Sequence, residues 1–151
     1  MQGILTVYNQ TQSSRVWVAD SFEGLPQCNK ELYPKDSGDW TSMNHSLAIS
    51  IEEVKENFKR YDLLGDNVIF LKGWFKDTLP VAPIEKLAIL RLDGDMYEST
   101  MDSLNNLYNK LQPGGFLIVD DYRIDSCLAA VSDFRNKNGS NDEILMIEDD
   151  S

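Results

Sequence analysis

Two acidic clusters stand just past apolar runs. Ala88 to Leu92 leads into Asp93-Gly94-Asp95, and Phe116 to Val119 leads into Asp120-Asp121. In an open α/β sheet, ligands bind outside the carboxyl ends of the strands. Carboxylates gathered there repel one another unless positive charge or a proton donor sits among them. A hard divalent cation such as Mg2+, held by oxygens, is the simplest resident. Asp93, Asp120 and Asp121 are therefore the candidate metal ligands, enough for about half of an octahedral shell. Such an ion lowers the pKa of a bound hydroxyl and orients it. Gly94 invites a turn, which places Asp95 toward the start of the following helix, where a carboxylate stabilises exposed N–H groups. The plain alternative is a solvated loop with a helix-capping aspartate.

Asp20 closes the run Val16-Trp17-Val18-Ala19. An acid at such a strand end accepts hydrogen bonds from ribose hydroxyls in nucleotide-binding α/β folds, although an Asp before a Ser is also a common turn residue. His45, the sole histidine, is a conceivable general base, but nothing near it specifies that role. Trp74 and Phe75 follow a strand and are placed to flank an aromatic base or cover a pocket, and Trp40 is a comparable lid candidate. Tyr97 and Tyr122 each follow an acidic cluster, as cavity-lining candidates. Arg91 lies inside an apolar strand and needs a carboxylate partner if buried. GxSxG, Walker, HExxH and paired-cysteine patterns are absent, which weighs against serine hydrolase, P-loop and zinc peptidase readings.

The elements that must position these residues alternate strand and helix. Gly3 to Asn9 reads as the tail of a helix and Val16 to Ala19 as a buried strand. A polar excursion from Gln27 to about His45 is long for a passive loop, and suits a lid or substrate-binding role. Ser50 and Glu53 form a capping-box pattern that opens a helix through Tyr61, ended by Gly65-Asp66. Strands follow at Val68 to Leu71 and Leu87 to Leu92. Ser99 or Thr100 is expected to cap an amphipathic helix reaching Leu111. Pro113-Gly114-Gly115 is expected to stop that helix and turn into a strand at Phe116 to Val119. Ile124 to Lys137 is expected to be helical, and Glu143 to Ile147 a last strand. The pattern predicts one α/β domain over residues 1–151, with a doubly wound, mostly parallel sheet.

With 151 residues and 42% hydrophobic content, the chain can bury an ordinary globular core. No run approaches a membrane span and no secretory leader is recognisable, so the expected compartment is cytoplasmic. Cys28 and Cys127 form no metal or redox pattern and read as reduced thiols. The net charge of −11 disfavours nucleic acids and anionic membranes as partners. Lys55, Lys59 and Arg60 are diluted by Glu52, Glu53 and Glu56, so no basic stripe forms.

Four ordered blocks carry a resemblance. They are Asp20-Ser21-Phe22-Glu23-Gly24-Leu25-Pro26, the stretch Gly73-Trp74-Phe75-Lys76-Asp77-Thr78-Leu79-Pro80, the stretch from Leu90 through Asp93-Gly94-Asp95 to Thr100, and Pro113-Gly114-Gly115 running to Val119-Asp120-Asp121-Tyr122. Together they resemble the macrocin O-methyltransferases from about Trp17 to Ile147. The resemblance implies a Rossmann-like class I methyltransferase fold, with S-adenosylmethionine and a divalent metal used to methylate sugar hydroxyls of small molecules. It also implies that Asp93, Asp120 and Asp121 bind the metal, with Asp93 near the acceptor hydroxyl. Asp20 would hold the adenosyl ribose, with Ser21, Phe22, Gly73 and Trp74 on the cofactor side. The resemblance implies a further strand and glycine loop at the start and another strand at the end, and the sequence read against it is expected to be without both. That leaves three expectations: a truncated product, a homo-oligomer covering its own bare sheet edge, or a non-catalytic remnant with a structural or partner-binding role. A Mg2+-dependent phosphoryl-transfer protein is a further alternative, but no phosphate cradle supports it.

Overall fold

A computed structural model describes residues 1–36 and 47–147. Trp40 and His45 lie outside the described residues. In chain order the elements are α1 (Gln2–Val7), β1 (Val16–Asp20), a 3-10 turn (Pro34–Asp36), α2 (Ile51–Arg60), β2 (Val68–Lys72), α3 (Phe75–Thr78), β3 (Leu87–Leu92), α4 (Tyr97–Leu107), β4 (Leu111–Val119) and α5 (Asp125–Asn138). Among the described residues, no helix is long and apolar enough to cross a membrane.

Every strand pairing is parallel, as the alternation of strand and helix requires. The expected single sheet is instead split into two pairs, β1 with β2 and β3 with β4. A two-stranded sheet is not stable alone and needs helix packing. The β3–β4 pair has it: Leu90 and Leu92 pack with Leu104 and Leu107 of α4, and with Val131 and Phe134 of α5. Trp17, Ala19 and Leu71 from the other pair pack against this core. There, Phe58 of α2 meets Phe70 edge-on at 5.7 Å between ring centres. A cleft of about 1660 Å³ runs along the full length of both β1 and β3.

The cap at Ser50 is as expected, its hydroxyl accepting from the Glu53 amide at 3.2 Å. Four local expectations need correction. Helix α2 stops at Arg60, ahead of Gly65, because Asp62 already adopts a left-handed conformation (φ 54°). Pro113-Gly114-Gly115 does not turn the chain into β4; it lies within β4 as an irregularity opposite Leu87 and Ile89. A Cβ on Gly115 would fall 2.8 Å from the Ala88 carbonyl oxygen, so only glycine lets the strands pair there. Glu143 to Ile147 forms no strand, and Leu145 and Ile147 are largely exposed. Neither Ser99 nor Thr100 caps α4: the helix begins at Tyr97 and both residues are buried within it.

Candidate active site at the strand ends

Strands β1 and β3 deliver Asp20 and Asp93 to a common cavity of about 50 Å³, which Ser21, Trp74, Gly94 and Asp102 also line. Each strand is apolar until its last turnover into polar sequence, so the carboxylates emerge where the core ends. The Asp20 carboxylate accepts from the Phe22 amide at 2.6 Å, which fixes its orientation. Ser21 donates to the Gly24 carbonyl at 2.7 Å and accepts from the Glu23 amide at 3.0 Å, closing the turn after β1. Phe22 turns the other way: its buried ring packs on Phe70. Gly73 follows β2 with φ 138°, and a Cβ there would lie 2.7 Å from the Thr78 methyl. This close approach starts α3 immediately after the strand and sets Trp74 at the cavity.

The acidic turn after β3 is held by side chains directed at its backbone. Asp121 accepts from the amides of Gly94 at 3.0 Å and Asp95 at 3.1 Å. Ser126 of α5 donates to the Asp95 carbonyl at 2.7 Å. Asp95 itself is left-handed, with φ 53°. The expected role for Asp95 at the helix start belongs to a residue far away in sequence. Asp36, 1% exposed, accepts from the Tyr97 amide at 2.6 Å and the Glu98 amide at 3.1 Å.

Charge among the strand ends is compensated by Arg91. Its guanidinium pairs with Asp120 and, at 3.0 Å, with Asp93. Arg91 is half-exposed rather than buried, but it finds the carboxylate partners that its position in an apolar strand demands. The Asp120 bond first, and the surrounding acids after it, strengthen the guanidinium's hold on its proton. Partial desolvation pushes the Asp93 carboxyl above the usual range, with Arg91 opposing and Asp121, Asp120 and Asp20 adding to the rise. Asp102 is pushed to about 6 by burial and the neighbouring Glu98, against the pull of Lys76.

The structure thus brings Asp93, Asp120 and Asp121 to neighbouring strand ends, yet gives each a protein partner. Among the described residues, no group of three or more His, Cys, Asp or Glu side chains converges closely enough to hold a metal ion. The oxygen donors themselves suit a hard cation. Tyr97 and Tyr122 do not line the cavity that Asp20 and Asp93 share. Tyr97 donates to Asp133 at 2.9 Å, and Tyr122 packs against the core. Asp36 was invisible as a site residue in sequence because its partners come from another element, and Asp102 because its chemistry is set by burial that no local pattern announces.

Comparison with known proteins settles the ancestry. The family model for macrocin-O-methyltransferase (TylF) matches residues 1–151. The chain belongs to this family. It is 50% identical over 150 residues to an 8-demethyl-8-(2,3-dimethoxy-alpha-L-rhamnosyl)-tetracenomycin-C 4'-O-methyltransferase from Streptomyces olivaceus, covering 98% of this chain and 57% of the relative. It is 49% identical to the demethyldecarbamoylnovobiocin O-methyltransferase of Streptomyces niveus, covering 99% of this chain and 58% of that relative. The solved O-methyltransferase NovP superposes with a TM-score of 0.94 at 49% identity, over 98% of this chain and 62% of NovP. CalS11, a calicheamicin methyltransferase, shares the fold at a TM-score of 0.66 and 18% identity, over 89% of this chain and 56% of its own. The macrocin-O-methyltransferase family member described here therefore has the class I, Rossmann-like fold with its parallel sheet split. It spans less than three-fifths of the curated relatives' length.

Proposed function

We propose that this chain carries the strand-end face of an S-adenosylmethionine-dependent O-methyltransferase acting on a sugar or other polyol hydroxyl of a small molecule. The observation that carries the reading is the meeting of Asp20 and Asp93, from separate strand pairs, at one cavity. The relatives' names support the reaction class: each specifies O-methyl transfer, and one specifies a rhamnosyl-bearing compound.

Asp20 accepts from ribose hydroxyls, while Ser21, Gly73 and Trp74 shape the adenosyl side and Phe22 contributes through its backbone amide, which orients Asp20. S-adenosylmethionine, when bound, supplies a methyl group already activated by its sulfonium. Asp93 would lie toward the acceptor and take its hydroxyl proton, the methyl group passing from the sulfonium to the oxygen and the cofactor leaving as its neutral thioether. Asp93, Asp120 and Asp121 are also proposed to hold Mg2+ or a similar cation, which would orient substrate oxygens. Their oxygen chemistry supports that assignment, and it requires Arg91 to release Asp120 and Asp93. A self-associated assembly is proposed as well. Ile89 and Phe116 are register partners, and with Ile118 they are 40%, 68% and 37% exposed, an apolar face for a second copy.

Calorimetric titration of folded protein with S-adenosylmethionine, with and without Mg2+, tests the reading. Micromolar binding is expected, strengthened by Mg2+ if the acids hold the ion. No heat and no thermal shift under either condition would overturn it in favour of a non-catalytic remnant. Light scattering that found only monomer would reject the self-association.

A further inference from the structure

We propose that Asp36 is a positioning residue for the acidic turn, tying the Asp93-Gly94-Asp95 segment to the arm of chain that follows β1. The inference rests on the methyl-transfer reading only for its consequence in catalysis; the coupling itself stands on the geometry.

Helix α4 has no cap of its own, because the residue before it is Met96, whose side chain makes no capping bond. The orphan amides at a helix start need an acceptor. Asp36 supplies both carboxylate oxygens from 61 residues away, and is itself 1% exposed. A carboxylate that deeply buried is tolerated only because those amides satisfy it.

The arm bearing Asp36 is seated by further contacts on α4 and α5. Lys35 pairs with Asp133 and lies 5.0 Å from the centre of the Tyr97 ring. Tyr97 donates to the same Asp133 at 2.9 Å, and the Tyr33 ring packs against Tyr97 at 6.1 Å. Asp36 is anchored from behind as well, its amide donating to the Tyr33 carbonyl at 3.0 Å and its carbonyl accepting from the Cys28 thiol at 3.2 Å.

The consequence falls on the turn. Among the described residues, side chains hold the backbone of residues 94 to 98 at three places: Asp121 on the amides of Gly94 and Asp95, Ser126 on the Asp95 carbonyl, and Asp36 on the amides of Tyr97 and Glu98, while Asp93 itself pairs with Arg91. Between these holds sits Asp95 at φ 53°, a left-handed conformation that Asp enters more readily than most residues with a side chain, though still less favourably than negative φ. Met96, 0% exposed, forms the rigid link from that residue to the capped turn. Releasing Tyr97 and Glu98 lets the helix start fray, Asp95 relax toward negative φ, and Asp93 leave its place opposite Asp20. Glu98 and Ser99, on the capped turn, line the same cavity as Asp20 and Asp93, so the helix start is part of the site's wall.

The test compares Asp36→Ala, Asp36→Asn and Lys35→Met by amide hydrogen exchange, with Asp36→Asn retaining one acceptor should the alanine variant fail to fold. Loss of the cap is expected to speed exchange at Tyr97 and Glu98 by roughly 5- to 30-fold. The decisive residues are Gly94 and Asp95, whose amides Asp36 does not touch. Positioning predicts that they too exchange faster, by several-fold, in both Asp36 variants, and by less in Lys35→Met, which loosens the arm but leaves the cap in place. Wild-type protection at Gly94 and Asp95 in a folded Asp36 variant overturns the proposal, leaving a local cap. In turnover, positioning predicts a fall in kcat with little change in S-adenosylmethionine binding, partly restored by Asn relative to Ala. The exchange measurement needs neither cofactor nor acceptor. A wild-type protein without transferase activity would therefore sink the functional reading and leave this coupling to be judged by its own amides.

Discussion

Replacing Asp102 with Asn is expected to stabilise the fold at neutral pH and to change little near pH 4. In the folded protein the Asp102 carboxyl is pushed from 3.8 to about 6, first by burial and then by Glu98, with Asp77 adding and Lys76 opposing. The folded state therefore binds a proton more tightly than the unfolded chain does. Its stability is fully present below pH 3.8 and is lost as pH rises through about 6, after which the penalty is constant. Each tenfold change in proton affinity is worth about 1.4 kcal/mol, giving an upper bound of ~3 kcal/mol. Solvent still reaches the group, and screening reduces that to about 1 kcal/mol. Asn keeps the shape of the protonated acid and removes the charge. The backbone carbonyl of residue 102, which accepts from the Asn106 side chain at 2.8 Å, is untouched. Urea unfolding of wild type and Asp102→Asn at pH 4 and pH 8 reads the effect directly. The variant should gain about 1 kcal/mol at pH 8 and nearly nothing at pH 4. An equal difference at both pH values, or a loss at pH 8, would refute the assignment of the penalty to this carboxylate.

Gly73→Ala forces a side chain into φ 138° with its Cβ 2.7 Å from the Thr78 methyl, and should cost roughly 1–3 kcal/mol in denaturant unfolding. Leu104→Ala empties a position only 1% exposed at the centre of the β3–α4–α5 core, and should cost about 2–5 kcal/mol by the same assay. Ser50→Ala removes the hydroxyl that accepts from the Glu53 amide, a loss of about 1 kcal/mol with no effect at the strand ends. Arg91→Gln withdraws the cation from Asp93 and Asp120, so the Asp93 carboxyl should titrate higher still, followed by carboxyl chemical shifts. If those acids also form a cation site, the same variant should bind Mg2+ more tightly than wild type.

The strand ends were legible because a parallel sheet announces itself. Apolar runs such as Leu87 to Leu92, interrupted only by Arg91, end abruptly in acids, and the alternation with helices places those ends together. The Ser50 cap was legible for the same kind of reason, since donor and acceptor lie three residues apart. The cap of α4 was not. Ser99 and Thr100 have the right chemistry at about the right place, but Asp36 reaches the helix start first, and no local pattern encodes a contact across 61 residues. Likewise, Pro113-Gly114-Gly115 has the composition of a turn. Its Gly115 serves a close strand approach at Ala88 instead, a need that exists only once β3 and β4 are paired. The apolar residues from Ile144 to Ile147 looked like a strand, but β-propensity without a pairing partner does not make one.

The split in the sheet decides what the site requires of a ligand. Asp20 ends β1 of the pair β1–β2 and Asp93 follows β3 of the pair β3–β4, and among the described residues no strand hydrogen bonds join the pairs. Their relative position rests on side-chain packing, with Trp17, Ala19 and Leu71 pressed against the core of the other pair. It rests also on the run from β2 through α3, where Phe75 comes within 3.6 Å of the position a Cβ on Gly94 would take. Packing of this kind permits small sliding more readily than a continuous hydrogen-bonded ladder would. A ligand that touches Asp20 and Asp93 together selects one spacing of the pairs, and its binding energy is then expressed as order between them. At a concentration 100 times its dissociation constant, such a ligand adds about 2.7 kcal/mol to stability. Part of that gain should be visible as slower amide exchange along β1 and β3, well away from any atom the ligand contacts. A ligand held by one pair alone would protect only its own contacts, so the pattern of protection reports whether the two acids act as one site.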